Sequence, residues 1–328
     1  MFESPEIRCA IAAVRQAALL AREVQRELVT PALTKDDRSP VTVGDFAVQA
    51  VVARRLAEHL PGSTLIGEES AEALRLAEGV DTLERVTQFV RRLIPDATPE
   101  EVCGLVDRGS GDPPEEFWTL DPIDGTKGFL RRDQYAVALG KIERGVVTIG
   151  VLGCPELANG SQPAPGGAGS LVVAVRGEGT WWQPLVGNGH WRQLRVSQCT
   201  YASQARILRS VEKSHTNVDE IGRLAASLGI TAAPVPLDSQ AKYAVLAAGS
   251  GDVLVRLISP KQPHYKEKIW DQAAGSLVIS EAGGRITDLD GKPLDFSHGR
   301  SLVRNRGILA TNGRLHEPLL AGLRAIGA

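Results

Sequence analysis

The sequence predicts a mixed chain in two parts, α+β up to about residue 199 and α/β beyond it. Three observations carry this: apolar residues at helical spacing in the first 60 residues, paired strand patterns between 117 and 182, and strand–helix alternation after Cys199. Ser4 and Pro5 suit the cap and first position of a helix on which Ile7, Ile11, Val14, Ala18 and Ala21 recur. A loop is expected over 34–40, then a second helix starting near Asp45 and ending at Pro61-Gly62. Residues 64–67 read as a short buried strand with Glu68-Glu69-Ser70 at its exit. Residues 71–116 are weakly patterned and read as an insertion, with helical pieces over 71–76 and 83–93 and an exposed loop over 107–116.

Residues 117–120 form a strand that runs into Asp121-Pro122-Ile123-Asp124-Gly125-Thr126. Strands over 135–142 and 146–152 pair across Arg144-Gly145, a Gly/Pro-rich loop spans 159–169, and 171–175 pairs with 179–182. Beyond Cys199, strands are expected over 206–209, 252–258, 285–287 and 308–310. Helices are expected over 218–228, 240–248, 270–282 and 313–326.

Composition narrows the class. The chain has 328 residues, 43% hydrophobic and 23% charged, with a net charge of −2, values ordinary for a soluble globular protein. No excess of positive charge marks a nucleic-acid or anionic-membrane surface, so neither partner is expected, nor is an obligate protein partner. Four cysteines without a Cys-x-x-Cys pair read as free thiols. The N-terminus lacks a basic region followed by an apolar run, and no apolar stretch nears the ~20 residues of a membrane span. A cytoplasmic location is expected.

Five acidic residues stand at element ends: Asp45 at a helix start, Glu68 at a strand exit, Asp121 and Asp124 about a tight turn, and Asp271 opening a helix. Pro122 restricts the backbone of Asp121, and Gly125 permits a positive φ or a close approach. Two carboxylates with the Ile123 carbonyl between them make a hard-oxygen site suited to Mg²⁺. The Thr126 hydroxyl and adjacent amides can hold a phosphate or a water. Each piece alone has an ordinary alternative: a helix cap for Asp45 or Asp271, a solvated strand end for Glu68, a plain turn for Asp121–Asp124. Their co-occurrence in one chain favours the metal site. No Gly-x-x-x-x-Gly-Lys-Ser/Thr loop or Gly-x-Ser-x-Gly elbow is present.

Gly67-Glu68-Glu69-Ser70, Asp121-Pro122-Ile123-Asp124-Gly125-Thr126, and Trp270-Asp271 followed by Glu281-Ala282-Gly283-Gly284 resemble the signatures of the lithium-sensitive, magnesium-dependent phosphatases of the inositol monophosphatase superfamily. Ser39–Asp45, Lys127–Arg131, Leu237–Tyr243 and Glu267–Asp271 resemble segments of its bisphosphate nucleotidase branch of the yeast and plant type. The resemblance implies a layered α-β-α-β-α sandwich of the inositol monophosphatase and fructose-1,6-bisphosphatase type. It implies a domain over 1–199 with most of the metal ligands and a second over 200–328 with nucleotide-binding residues and Asp271. It further implies that Glu68, Asp121, Asp124, Asp271 and the Ile123 carbonyl ligate two or three Mg²⁺ ions. Asp45 and Thr126 would activate water, and Gly125, Thr126, His215, Ser239, Lys242 and Arg256 would bind a small nucleotide. The implied reaction removes the 3′-phosphate of a bisphosphorylated nucleotide, a step tied to sulfur assimilation. Alternatives are an inositol phosphate substrate or a non-catalytic nucleotide sensor.

Overall fold

Helix α1 (Pro5–Leu28) begins where the Ser4 hydroxyl accepts from the Glu6 amide at 3.3 Å. Its buried residues Ile7, Ala10, Val14, Ala17, Ala21 and Val24 fall at steps of three and four, so one stripe faces inward. The computed structural model describes residues 2–29, 39–187, 189–211, 218–259 and 261–328. Helix α2 (Ser39–His59) starts six residues before the expected position at Asp45. Pro40 stands in its first turn, where no amide donor is needed, so Asp45 lies in the second turn and does not open the helix.

Strand β1 (Leu65–Gly67) follows, then two short 3₁₀ turns (Ala73–Arg75 and Ala77–Gly79) where a helical piece over 71–76 was expected. Helix α3 (Val80–Val90) matches the expected second piece, shifted three residues toward the N-terminus. Helix α4 (Pro99–Asp107) was not anticipated, although its start is well marked: Thr98 accepts from the Glu101 amide at 3.2 Å and Pro99 takes the first position. Both α3 and α4 pack on α2.

The next elements are β2 (Glu116–Asp124), α5 (Thr126–Arg131), β3 (Ala136–Glu143) and β4 (Val146–Cys154). The loop expected over 159–169 contains part of a small hairpin, β5 (Leu157–Ala158) with β6 (Gln162–Pro163). Strands β7 (Ser170–Val175), β8 (Gly179–Pro184) and β9 (Arg192–Leu194) complete a seven-stranded sheet ordered β1-β2-β3-β4-β7-β8-β9. Among the described residues, only the β1–β2 pairing in it is parallel. Then come β10 (Ile207–Arg209), α6 (Val218–Ser227), β11 (Val235–Pro236), α7 (Ala241–Ala247) and β12 (Val253–Arg256). Helix α8 (Ala273–Glu281), β13 (Arg285–Thr287), β14 (Ile308–Thr311) and α9 (His316–Ile326) end the chain. The second sheet runs β11-β10-β12-β14-β13.

These elements stack in five layers: α1 and α2, the first sheet, α7 and α8, the second sheet, then α6 and α9. Strand alternation divides the apolar residues among three cores. Val137, Leu139, Val151 and Val173 face α1 and α2, whereas Ala138, Leu152, Val172 and Ala174 face α7 and α8. That middle core also takes Leu208, Leu254 and Ala310 from the second sheet, so both sheets close on one pair of helices. The opposite face of the second sheet, with Ile207, Val253 and Leu309, packs against Ile221, Leu224, Leu319 and Leu323.

The middle layer sits close because β4 carries glycine where it meets α8. A Cβ at Gly150 would lie 2.7 Å from the Ala274 carbonyl oxygen. Gly150→Val is therefore expected to destabilise the fold by about 1–3 kcal/mol through overpacking, read from the midpoint of urea unfolding. A change within ~0.5 kcal/mol would show that α8 yields freely there.

Candidate active site

The expected tight turn at Asp121–Asp124 is instead the bulged end of β2. Asp121 pairs with Ala138 and Asp124 with Ala136, so three steps on β2 oppose two on β3. In a regular strand, residues three apart point to opposite faces. The extra residue restores the parity and turns both carboxylates to one side. It also accommodates Pro122, which has no amide to donate and is tolerated in a sheet at a bulge. Gly125 then adopts φ +91°, and α5 begins at Thr126. A Cβ on Gly125 would stand 2.8 Å from Ser239 Cβ, so glycine brings the motif directly onto the start of α7.

Asp45 is delivered by α2. Its neighbour Gly44 leaves space for Ile123, whose Cδ1 lies 2.5 Å from where a Gly44 Cβ would be. One turn further on, the fully buried Gln49 donates to the carbonyls of Glu69 (2.7 Å) and Val106 (2.8 Å) and accepts from the Glu69 amide (3.1 Å). The same helix thus carries Asp45 and fixes the Glu68-Glu69 loop. Gln240 performs the corresponding task on the other side. Its amide donates to Asp124 Oδ2 at 2.6 Å, and its side chain donates to the Trp270 carbonyl at 3.0 Å. Asp271 lies in the turn two residues before α8 and does not open the helix itself.

Asp45, Glu68, Asp121, Asp124 and Asp271 are thereby brought into one electrostatic group. Burial, and then the Glu69 and Glu68 charges, hold Asp45 well above the usual carboxylate range. Burial raises Asp121 strongly too, followed by Glu68, Asp124, Asp271 and Asp45. Asp271 is likewise raised by burial, against the opposing charge of Arg256. For Asp124, burial raises the pKa while Lys242, Arg256 and the Gln240 amide counter it. Glu68 is exposed at the rim, yet it is pushed up to about 7 by desolvation between the cleft walls and by Glu69 and Asp124. A hydrogen bond with Asp121 opposes that rise. Solvent at the rim screens the Glu68 charge.

The cations lie on the α7 side. Burial lowers the Lys242 ammonium to about 8, with Asp124 opposing. Arg256 is 3.0 Å from Glu267; burial works against its charge, but Glu267 and Asp271 outweigh it and raise the pKa. Ser239 holds φ +62°, and its Oγ accepts from the Ala241 amide at 3.1 Å. Arg131 of α5 forms an ion pair with Asp238, tying the segments 127–131 and 237–243 together. His215 lies outside the described residues.

The carboxylates of Asp45, Glu68, Asp121, Asp124 and Asp271 make an all-oxygen, electron-rich donor set, and the buried Asp121 Oδ1 has no hydrogen-bond partner among the described residues. Both features fit a hard divalent cation. Among the described residues, no three acidic, histidine or cysteine side chains converge closely enough to hold one as they stand.

The Inositol monophosphatase family model matches residues 3–328, and the chain belongs to that family, which is Mg²⁺-dependent in general. Within it, the chain is 39% identical to a 3′(2′),5′-bisphosphate nucleotidase of Schizosaccharomyces pombe, covering 98% of this chain and 95% of that protein. It is 40% identical to the 3′(2′),5′-bisphosphate nucleotidase of Oryza sativa, over 97% and 93% respectively. The layered fold is shared with the Thermotoga maritima IMPase at TM-score 0.65 and 17% identity, covering 99% and 98% of the two chains. CysQ from Bacteroides thetaiotaomicron matches at TM-score 0.62 and 18% identity, over 93% and 96%. Among the described residues, no helix is long and apolar enough to cross a membrane.

Glu68, pushed up to about 7, is in large part protonated at pH 6.5, and a divalent cation favours its charged form. Adding Mg²⁺ at pH 6.5 is therefore expected to release protons. Calorimetric titration in two buffers of different ionisation heat measures the number. Identical apparent heats in both buffers would refute the raised value.

Proposed function

We propose that this chain is a phosphatase that hydrolyses the 3′-phosphate of adenosine 3′,5′-bisphosphate to AMP and phosphate, and acts likewise on the 2′,5′ isomer and on the 3′-phosphorylated adenylyl sulfate. The observation that carries the chemistry is the group of raised carboxylates beside two buried-side cations, Lys242 and Arg256. The substrate rests on the likeness to the bisphosphate nucleotidases of fission yeast and rice.

In this reading Glu68, Asp121, Asp124, Asp271 and the Ile123 carbonyl hold two or three Mg²⁺ ions. Bound Mg²⁺ supplies Lewis-acid polarisation of the phosphoryl oxygen and acidifies water. Asp45 and the Thr126 hydroxyl orient the attacking water, and the carboxylate of Asp45 takes its proton. Attack is in line, with no covalent enzyme intermediate, so rate comes from positioning and charge stabilisation. Lys242 and Arg256 bind phosphate oxygens, while Ser239, Gly125 and His215 line the nucleotide. Residues 1–199 then supply most of the metal side and 200–328 the nucleotide side.

A phosphate-release panel with and without Mg²⁺ tests the substrate. Adenosine 3′,5′-bisphosphate is expected to turn over faster than inositol 1,4-bisphosphate, and the reverse order would overturn the assignment. Asp45→Asn is expected to lower kcat by about 10²–10⁴-fold with AMP binding retained. Undiminished phosphate release would remove Asp45 from the mechanism. Tight nucleotide binding by the wild-type protein with no turnover on any substrate would favour the sensor.

A further inference from the structure

We infer that Arg300 is a positioning residue that locks the two acidic loops of the site, at Glu68 and at Asp271, into register with each other. This rests on the metal-holding roles proposed above for those carboxylates.

Arg300 belongs to none of the motifs, and it sits between β13 and β14 in the second half of the chain. Its guanidinium crosses to the first sheet. One terminal nitrogen donates to the carbonyl of Gly67, the residue joined to Glu68. The other donates to the carbonyls of Gly109 at 3.2 Å and Gly111 at 3.0 Å. Gly109 is itself bound to β1, because its carbonyl accepts from the Gly67 amide at 2.9 Å. The same guanidinium lies over the Trp270 ring, 4.9 Å from its centroid. Trp270 is 5% exposed and precedes Asp271. The Arg300 main chain completes the connection: its carbonyl accepts from the Ile269 amide at 3.2 Å, and Lys268 bridges Ser301.

One side chain therefore touches the residue before Glu68 and the residue before Asp271. The planar fork of arginine offers several fixed donors and a flat face at once, a combination lysine lacks. Gln49 holds the Glu68 loop only from α2, and Gln240 holds the Trp270 loop only from α7. Of these three, Arg300 alone has contacts on both loops. Among the described residues it has no hydrogen bond or ion pair with Ser239, Lys242 or Arg256, so its removal should weaken metal retention while sparing the nucleotide.

Mg²⁺ and AMP titrations by calorimetry, with phosphate release and thermal unfolding in parallel, test this on wild type, Arg300→Lys and Arg300→Ala. The wild-type titration judges the underlying reading first: no Mg²⁺ binding there would sink the metal site, and this inference with it. Given wild-type binding, Arg300→Ala should weaken Mg²⁺ affinity tenfold or more. AMP affinity at saturating Mg²⁺ should stay within twofold, and Arg300→Lys should fall between. Mg²⁺ affinity within twofold of wild type in a folded Arg300→Ala protein, or equal losses for Mg²⁺ and AMP, would overturn the role. If the alanine variant does not fold, the lysine variant decides on the same two affinities.

Discussion

Like charges forced together in a cleft repel, and much of this molecule answers to that constraint. Asp45, Glu68, Asp121, Asp124 and Asp271 each have a pKa raised by burial and, for most, by one another. None of these positions would be chosen by the carboxylates themselves. They are imposed by backbone held elsewhere: a helix turn carrying Asp45, a bulged strand end carrying Asp121 and Asp124, and loops gripped by Gln49, Gln240 and Arg300. Local electrostatic strain at a site is carried by the rigidity of the surrounding layers.

The site has two electrostatic poles. The acidic one is built mainly from α2, β1 and β2, and the basic one from α7 and β12. Asp124 stands between them and feels both, since burial raises it while Lys242 and Arg256 pull it down. Glu267 and Asp271 keep Arg256 charged against its burial. A phosphate ester placed between the poles meets fixed cations on one side and the acidic group on the other.

Much of this was legible in the chain. Alternation in 135–182 foretold the hairpins of the first sheet, and the Asp121–Thr126 run marked out the segment on which the candidate site is built. What stayed hidden depends on contacts distant in sequence. The bulge is a property of β2 pairing with β3, so its residues alone suggest a turn. Arg300 reaches partners up to 233 residues away, and nothing around it marks it. Gln49 did leave a trace, as an amide on the buried face of a helix at the position four after Asp45. The starts of α2 and α4 differ for a simpler reason: Ser39-Pro40 and Thr98-Pro99 are ordinary helix openings, the first inside a segment expected to be a loop and the second inside a weakly patterned stretch with no element assigned to it.

The bulge between Asp121 and Asp124 makes the motif a matter of counting as much as of chemistry. Pro122 and Ile123 could be exchanged for other residues with the carboxylates still facing one way, provided the number between them holds. Three residues apart, the carboxylates share a side only because the bulge is there; an even ladder over the same four residues would send one of them into the opposite core, whatever the letters between them were. Spacing and pairing are thus tied together: three steps between the carboxylates demand the extra residue against β3, and a chain could drift far in composition at Pro122 and Ile123 while keeping both.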